Sequence, residues 1–113
     1  MELLRIDLLP GEPPGEPPRL RVEGEIDIAT VDQLRGALEQ AVSEHPGVVV
    51  DMAGVTFIDA VGIRVLLEVA HSRNGAGPLT LVEARRVAWL LELVGLGDVP
   101  SIEFGDRGGE GGS

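Results

Sequence analysis

The stretch Val48-Val49-Val50-Asp51-Met52-Ala53-Gly54-Val55-Thr56-Phe57-Ile58-Asp59-Ala60-Val61-Gly62-Ile63-Arg64-Val65-Leu66-Leu67-Glu68 changes character twice. It opens as a β-branched run ending at Asp51, the mark of a strand buried on both faces. Residues 51–58 then read as a loop, and from Ala60 the apolar residues recur at helical spacing. Asp59 stands where the helix starts. An Asp there accepts hydrogen bonds from the first free N–H groups and sits at the positive end of the helix dipole. An anion added at the next residue would be held in the same way. The junction Asp59-Ala60-Val61-Gly62 is therefore the candidate functional point.

From Ala60 to about Arg73 the apolar face is broad. Val65, Val69, Leu66, Ala70, Ile63 and Leu67 span about 200° at 100° per residue. Ile63 and Leu67 lie at the edge of that stripe and Val61 lies outside it. A helix on one face of a sheet needs less, so these three form a candidate apolar contact patch beside the Asp59 cap.

The flanking sequence supplies the other elements. Leu4, Ile6 and Leu8 alternate with Arg5 and Asp7, and Leu20 and Val22 with Arg21 and Glu23, as in two strands with one wet face. Between them Pro10 to Pro18 holds a tandem Gly-Glu-Pro-Pro, read as a loose connection because nothing aromatic or basic supports a docking motif. Thr30 and Gln33 have capping-box form, which places a helix start at Val31. Val31, Leu34, Ala37, Leu38, Ala41 and Val42 then share an arc of about 140°. Leu79 to Val82 reads as a strand. Residues from about Arg85 to Val94 read as a helix packed through Val87, Leu90, Leu91 and Val94, with Trp89 and Leu93 pointing elsewhere, as a second contact surface or, the favoured reading, as cover over a sheet end. Ile102 and Phe104 suit a last strand. Residues 1–104 form one domain with a Pro-rich loop at 10–18, and 105–113 a disordered Gly-rich tail.

Composition narrows the function. The 113 residues carry a formal net charge of -10, and all nine basic residues are Arg. That balance repels nucleic-acid backbones and anionic membranes. There is no Cys, consistent with a reducing cytoplasm. Glu2, Arg5 and Asp7 interrupt the first apolar run, which argues against a secretory signal. No apolar stretch approaches the length of about 20 residues that a membrane span needs. His45 and His71 lack metal-ligand spacing, the Ser and Thr residues lie outside any nucleophile elbow, and no Walker-type or dinucleotide-type Gly loop occurs. No catalytic residue, metal site or cofactor is expected.

The quoted stretch also resembles the phosphorylation-site segment of the STAS domain family, the anti-sigma factor antagonists. There a strand ends in Asp and a loop leads to Asp-Ser-x-Gly and an apolar helix. Asp59-Ala60-Val61-Gly62 matches except that Ala60 replaces the phosphoacceptor Ser, so no kinase can load a phosphate at that residue. Gly24-Glu25-Ile26-Asp27-Ile28-Ala29-Thr30 is similar to the family's Gly-Glu-x-Asp-x-x-Thr loop, which lies beside that site and helps contact the kinase. The pattern extends from about Leu3 to Phe104. It implies an α/β domain with a mixed sheet of about five strands and helices mainly on one face. It also implies a regulatory interaction with an anti-sigma factor that doubles as a serine kinase. Asp27, Asp59, Val61, Gly62, Ile63 and Leu67 would then be partner-binding, with Ala60 a lost switch. The alternative is a STAS scaffold or a subunit of a transporter or larger signalling assembly. A response-regulator receiver domain, with Asp51 as phosphoacceptor, fits poorly: the chain has no Lys and opens with two strands before any helix.

Overall fold

The computed structural model describes residues 3–72, 79–95 and 102–105. Its elements are β1 (Leu4–Leu9), β2 (Arg19–Ile26), α1 (Val31–Glu44), β3 (Val48–Ile58), α2 (Ala60–Ser72), β4 (Leu79–Val82), α3 (Arg85–Leu93) and β5 (Ile102–Gly105). They form one five-stranded sheet in the order β1-β2-β3-β4-β5. β1 runs antiparallel to β2, and the other three pairings are parallel. The Pro-rich segment at 10–18 connects β1 and β2.

Strand order and handedness together place the helices. From β2 onward each strand is followed by a helix and then by its immediate neighbour in the sheet. Parallel crossovers are right-handed, so three taken in one direction put their helices on the same face. Leu20, Val22 and Ile26 of β2, Val48 and Val50 of β3, and Leu79 and Leu81 of β4 are buried on that face, with Leu34 and Leu38 of α1, Val65 and Leu66 of α2, and Val87 and Leu91 of α3. Each such side chain contributes roughly 1.5–3 kcal/mol of burial. α1 and α2 are also joined at their surface, where Arg35 donates to Glu68 at 2.7 Å and Arg64 approaches the same carboxylate at 3.4 Å. The hydrogen bond from Arg35 holds the Glu68 carboxyl below its ordinary pKa.

Four expectations need correction. Residues 51–58 are not a loop: β3 runs unbroken from Val48 to Ile58. Its register against β2 shifts twice, between Arg21 and Glu23 and between Gly24 and Glu25, so β3 carries extra residues at two β-bulges. Beyond Met52, the inward positions of β3 fall at Val55 and Ile58, three apart instead of two. The alternation that marks a strand is lost for that reason.

The Thr30–Gln33 capping box does not form. Thr30 makes no side-chain cap bond, and the Gln33 amide instead donates to the Leu4 carbonyl at 3.0 Å. α3 stops at Leu93, and Val94, expected on the packed side, is 67% exposed. Trp89 and Leu93 do not cover a sheet end, since they are 60% and 65% exposed. Only Val87 and Leu91, four apart, bury fully from α3; Ala88 and Leu90 are half-buried beside them, and Trp89 and the last turn face outward. Residues 106–113 of the expected tail lie outside the described residues.

Candidate functional site: the paired ends of β2 and β3

Ile26 and Ile58 are partners in register at the ends of two parallel strands. The next residue along each strand is an aspartate, Asp27 and Asp59, and each opens the segment leading into a helix. The Asp59 N–H donates to the Ile26 carbonyl at 3.3 Å, which ties the two strand ends together.

Asp59 caps α2. Its Oδ1 accepts from the N–H groups of Val61 at 3.1 Å and Gly62 at 3.3 Å, and its carbonyl accepts from Ile63 at 3.2 Å. The Val61 and Gly62 groups are first-turn donors with no partner within the helix, and the Ile63 bond is the first of the helical ladder. Ala60 is the first residue of α2 and is exposed. A side chain there extends from the helix end into solvent, beside amides already held by Asp59.

Gly62 is buried beneath that turn. A β-carbon on it would lie 2.5 Å from Ile26 Cγ2 and 2.9 Å from Ile58 Cγ1. Glycine is what lets the start of α2 sit directly on the ends of β2 and β3. Val61, Ile63 and Leu67 are half-buried, each packed partly against the core. The helix end therefore presents the rim of a packed surface, not a free-standing apolar patch.

Asp27 is engaged within its own turn. Its Oδ1 accepts from the Ala29 N–H at 2.9 Å, and its N–H donates to Thr30 Oγ1 at 3.0 Å. The Thr30 hydroxyl has one proton, and the Glu25 carbonyl at 2.7 Å is its nearest acceptor. The Asp27 carbonyl takes the first N–H groups of α1, from Thr30 at 3.1 Å and Val31 at 2.8 Å. Asp27 and Thr30 thus build the loop that starts α1. Upstream, Gly24 has φ +116, and a β-carbon there would run into the carbonyl of Leu3, the residue before β1. The Gly, Asp and Thr of this segment each have a conformational reason to be where they are.

Two further residues belong to this end of the sheet. Ile28, between Asp27 and Thr30, is 75% exposed, and Phe57, next to Ile58, is 44% exposed. The signal for Ile28 was an apolar residue inside a turn; Phe57 was hidden by reading its strand as a loop.

Asp51 stands apart. It lies inside β3 and is 5% exposed, with Oδ2 accepting from Arg19 at 3.2 Å and Oδ1 from the Ala53 N–H at 3.0 Å. Both oxygens are used structurally. Among the described residues no cluster of His, Asp and Glu could hold a metal, and no helix is long and apolar enough to cross a membrane.

A family model described as Mlab, STAS domain, matches residues 12–102. The chain belongs to the STAS domain family. Solved structures carry the same fold at low identity. An anti-sigma factor antagonist from Mycobacterium paratuberculosis aligns with TM-score 0.72 at 22% identity, over 88% of this chain and 85% of that one. The Bacillus cell fate determinant SpoIIAA in its phosphorylated form aligns with TM-score 0.64 at 20% identity, over 91% and 93%. A Rhodobacter sphaeroides antagonist STAS domain aligns with TM-score 0.57 at 18% identity, over 75% and 90%. No curated protein matches the chain. This STAS domain shares its architecture with regulatory proteins, and what it binds must be argued from its own surface.

Proposed function

We propose that this STAS domain is a cytoplasmic bacterial regulator of the anti-sigma factor antagonist type, which docks a protein partner through the joined ends of β2 and β3. The partner is an anti-sigma factor that doubles as a serine kinase. The observation that carries the reading is Ala60: exposed at the first position of α2, beside an intact Asp59 cap, and without a hydroxyl. Asp59 holds the helix end, Gly62 seats it, and Val61, Ile63 and Leu67 form the rim. Asp27 shapes the neighbouring turn and Ile28 projects from it. A phosphate at position 60 would add up to about two negative charges and a desolvation cost to the contact. With alanine that off-switch is gone, so the interaction is constitutive and set by abundance. No catalytic step is assigned to the domain.

The test is binding to candidate anti-sigma serine kinases with and without ATP. The native chain is expected to bind equally in both, whereas Ala60→Ser should take up phosphate and release its partner when ATP is present. Phosphate incorporated near the start of α2 in the native chain would contradict the reading, as would an Ala60→Ser variant indifferent to ATP. Ile28→Asp should abolish binding and leave the fold intact. It is a cleaner probe than Val61→Asp or Ile63→Asp, because those side chains also pack on the core.

Ala60 also favours a second reading, a scaffold or subunit of a transporter or larger signalling assembly, since a helix end that cannot be modified suits a permanent contact. Co-purification with a membrane ATPase complex instead of a soluble kinase would select it.

A further inference from the structure

β3 is longer than its neighbour. It pairs with β4 only from Val48 to Asp51, so residues 52–58 continue past β4 along that side. Across from this edge, free among the described residues, stands α3, and between them lies an open groove of about 840 Å³. Val55, Phe57 and Trp89 are among its apolar lining residues, with Arg85 and Arg86 on the helix side and Glu83, just before α3, also in the lining. Arg85 and Arg86 are exposed, and neither has an acidic partner among the described residues. Two adjacent unpaired cations are conspicuous on a chain with net charge -10.

We infer that this groove binds an extended acidic peptide segment of a partner protein, added as a strand along β3. Each feature specifies part of the occupant. A strand edge offers backbone donors and acceptors, which an extended chain satisfies and a helix does not. The Ala53 N–H is already given to Asp51, so the usable edge is residues 54–58. The apolar lining takes alternate side chains of such a strand. Arg85 and Arg86 select acidic residues on it, and Glu83 repels basic ones. The groove ends at Ile58, one residue before the α2 cap, so it shares Phe57 and Ile58 with that end of the sheet, while Arg85, Arg86 and Trp89 lie outside the contact at Ala60.

Trp89 is the single tryptophan of the chain and reports on the groove directly. Short peptides selected from a random display library against the full chain are the probe. The expected peptides alternate apolar and acidic residues, bind saturably and shift Trp89 emission to the blue. Amide exchange at residues 54–58 should slow when they bind. The double change Arg85→Glu and Arg86→Glu should weaken binding by about tenfold or more, and N-methylation of alternate peptide amides should do likewise. Failure to select peptides, selection of basic or helical ones, or binding indifferent to the charge reversal or to N-methylation would overturn the inference. So would a Trp89 shift driven by protein concentration alone, which would place a second copy in the groove. Because Ala60→Ser leaves the groove untouched, failure here and failure of the constitutive-contact reading can be told apart.

Discussion

Replacing Asp59 separates its two roles at the start of α2. Its Oδ1 accepts from Val61 and Gly62 at 3.1 and 3.3 Å, and its charge faces the positive end of the helix dipole. Asp59→Ala removes both. The lost cap costs about 1 kcal/mol, and the lost charge about 0.3–1 kcal/mol. Asp59→Asn keeps an oxygen acceptor in the same place and removes only the charge, so it should lose only the smaller amount. For a domain of this size each kcal/mol lowers the melting temperature by about 4 °C. Thermal unfolding followed by far-UV circular dichroism at neutral pH should therefore rank native above Asn above Ala. An alanine variant that melts with the native chain would show that the cap carries no stability. An asparagine variant as unstable as the alanine one would show that charge, not the acceptor, holds the helix end.

Gly62→Ala should destabilise the domain even though alanine is the better helix former by about 1 kcal/mol. The new β-carbon would press on Ile26 and Ile58, whose branched side chains are locked in the core, and overpacking of this kind costs about 1–3 kcal/mol. A urea midpoint that falls with unchanged slope is the expected result, and a rise would mean that the strand ends can yield. Thr30→Val should cost about 1–3 kcal/mol by leaving the Asp27 N–H and the Glu25 carbonyl without their shared hydroxyl. Faster amide exchange at Asp27 should accompany it, and unchanged exchange would mean that water replaces the hydroxyl at no cost.

Where the chain keeps a simple period, its structure could be read directly. Leu34, Leu38 and Ala41 at helical spacing are buried on α1, and Leu20 and Val22 at alternate positions are buried on β2. Asp59 could likewise be identified as a cap, because the preference acts through hydrogen bonds to amides two and three residues away. Local chemistry of that range leaves its mark in adjacent residues.

What lay beyond the sequence depended on contacts between distant segments. The bulges in β3 arise from its pairing with β2 and erase the alternation over 52–58, so a strand looked like a loop. Gln33 left its expected cap for the Leu4 carbonyl, twenty-nine residues away along the chain. Gly62 fits a family motif on paper, but only the crossing of α2 over Ile26 and Ile58 shows that its missing side chain is a packing requirement. The free edge of β3 and the outward face of Trp89 follow from the shortness of β4 and from which turn of α3 reaches the core. Residue type and spacing determined which segments become helices, most of the strands and the cap at Asp59. Tertiary packing decided which surfaces remain open, because exposure depends on what the rest of the chain brings alongside.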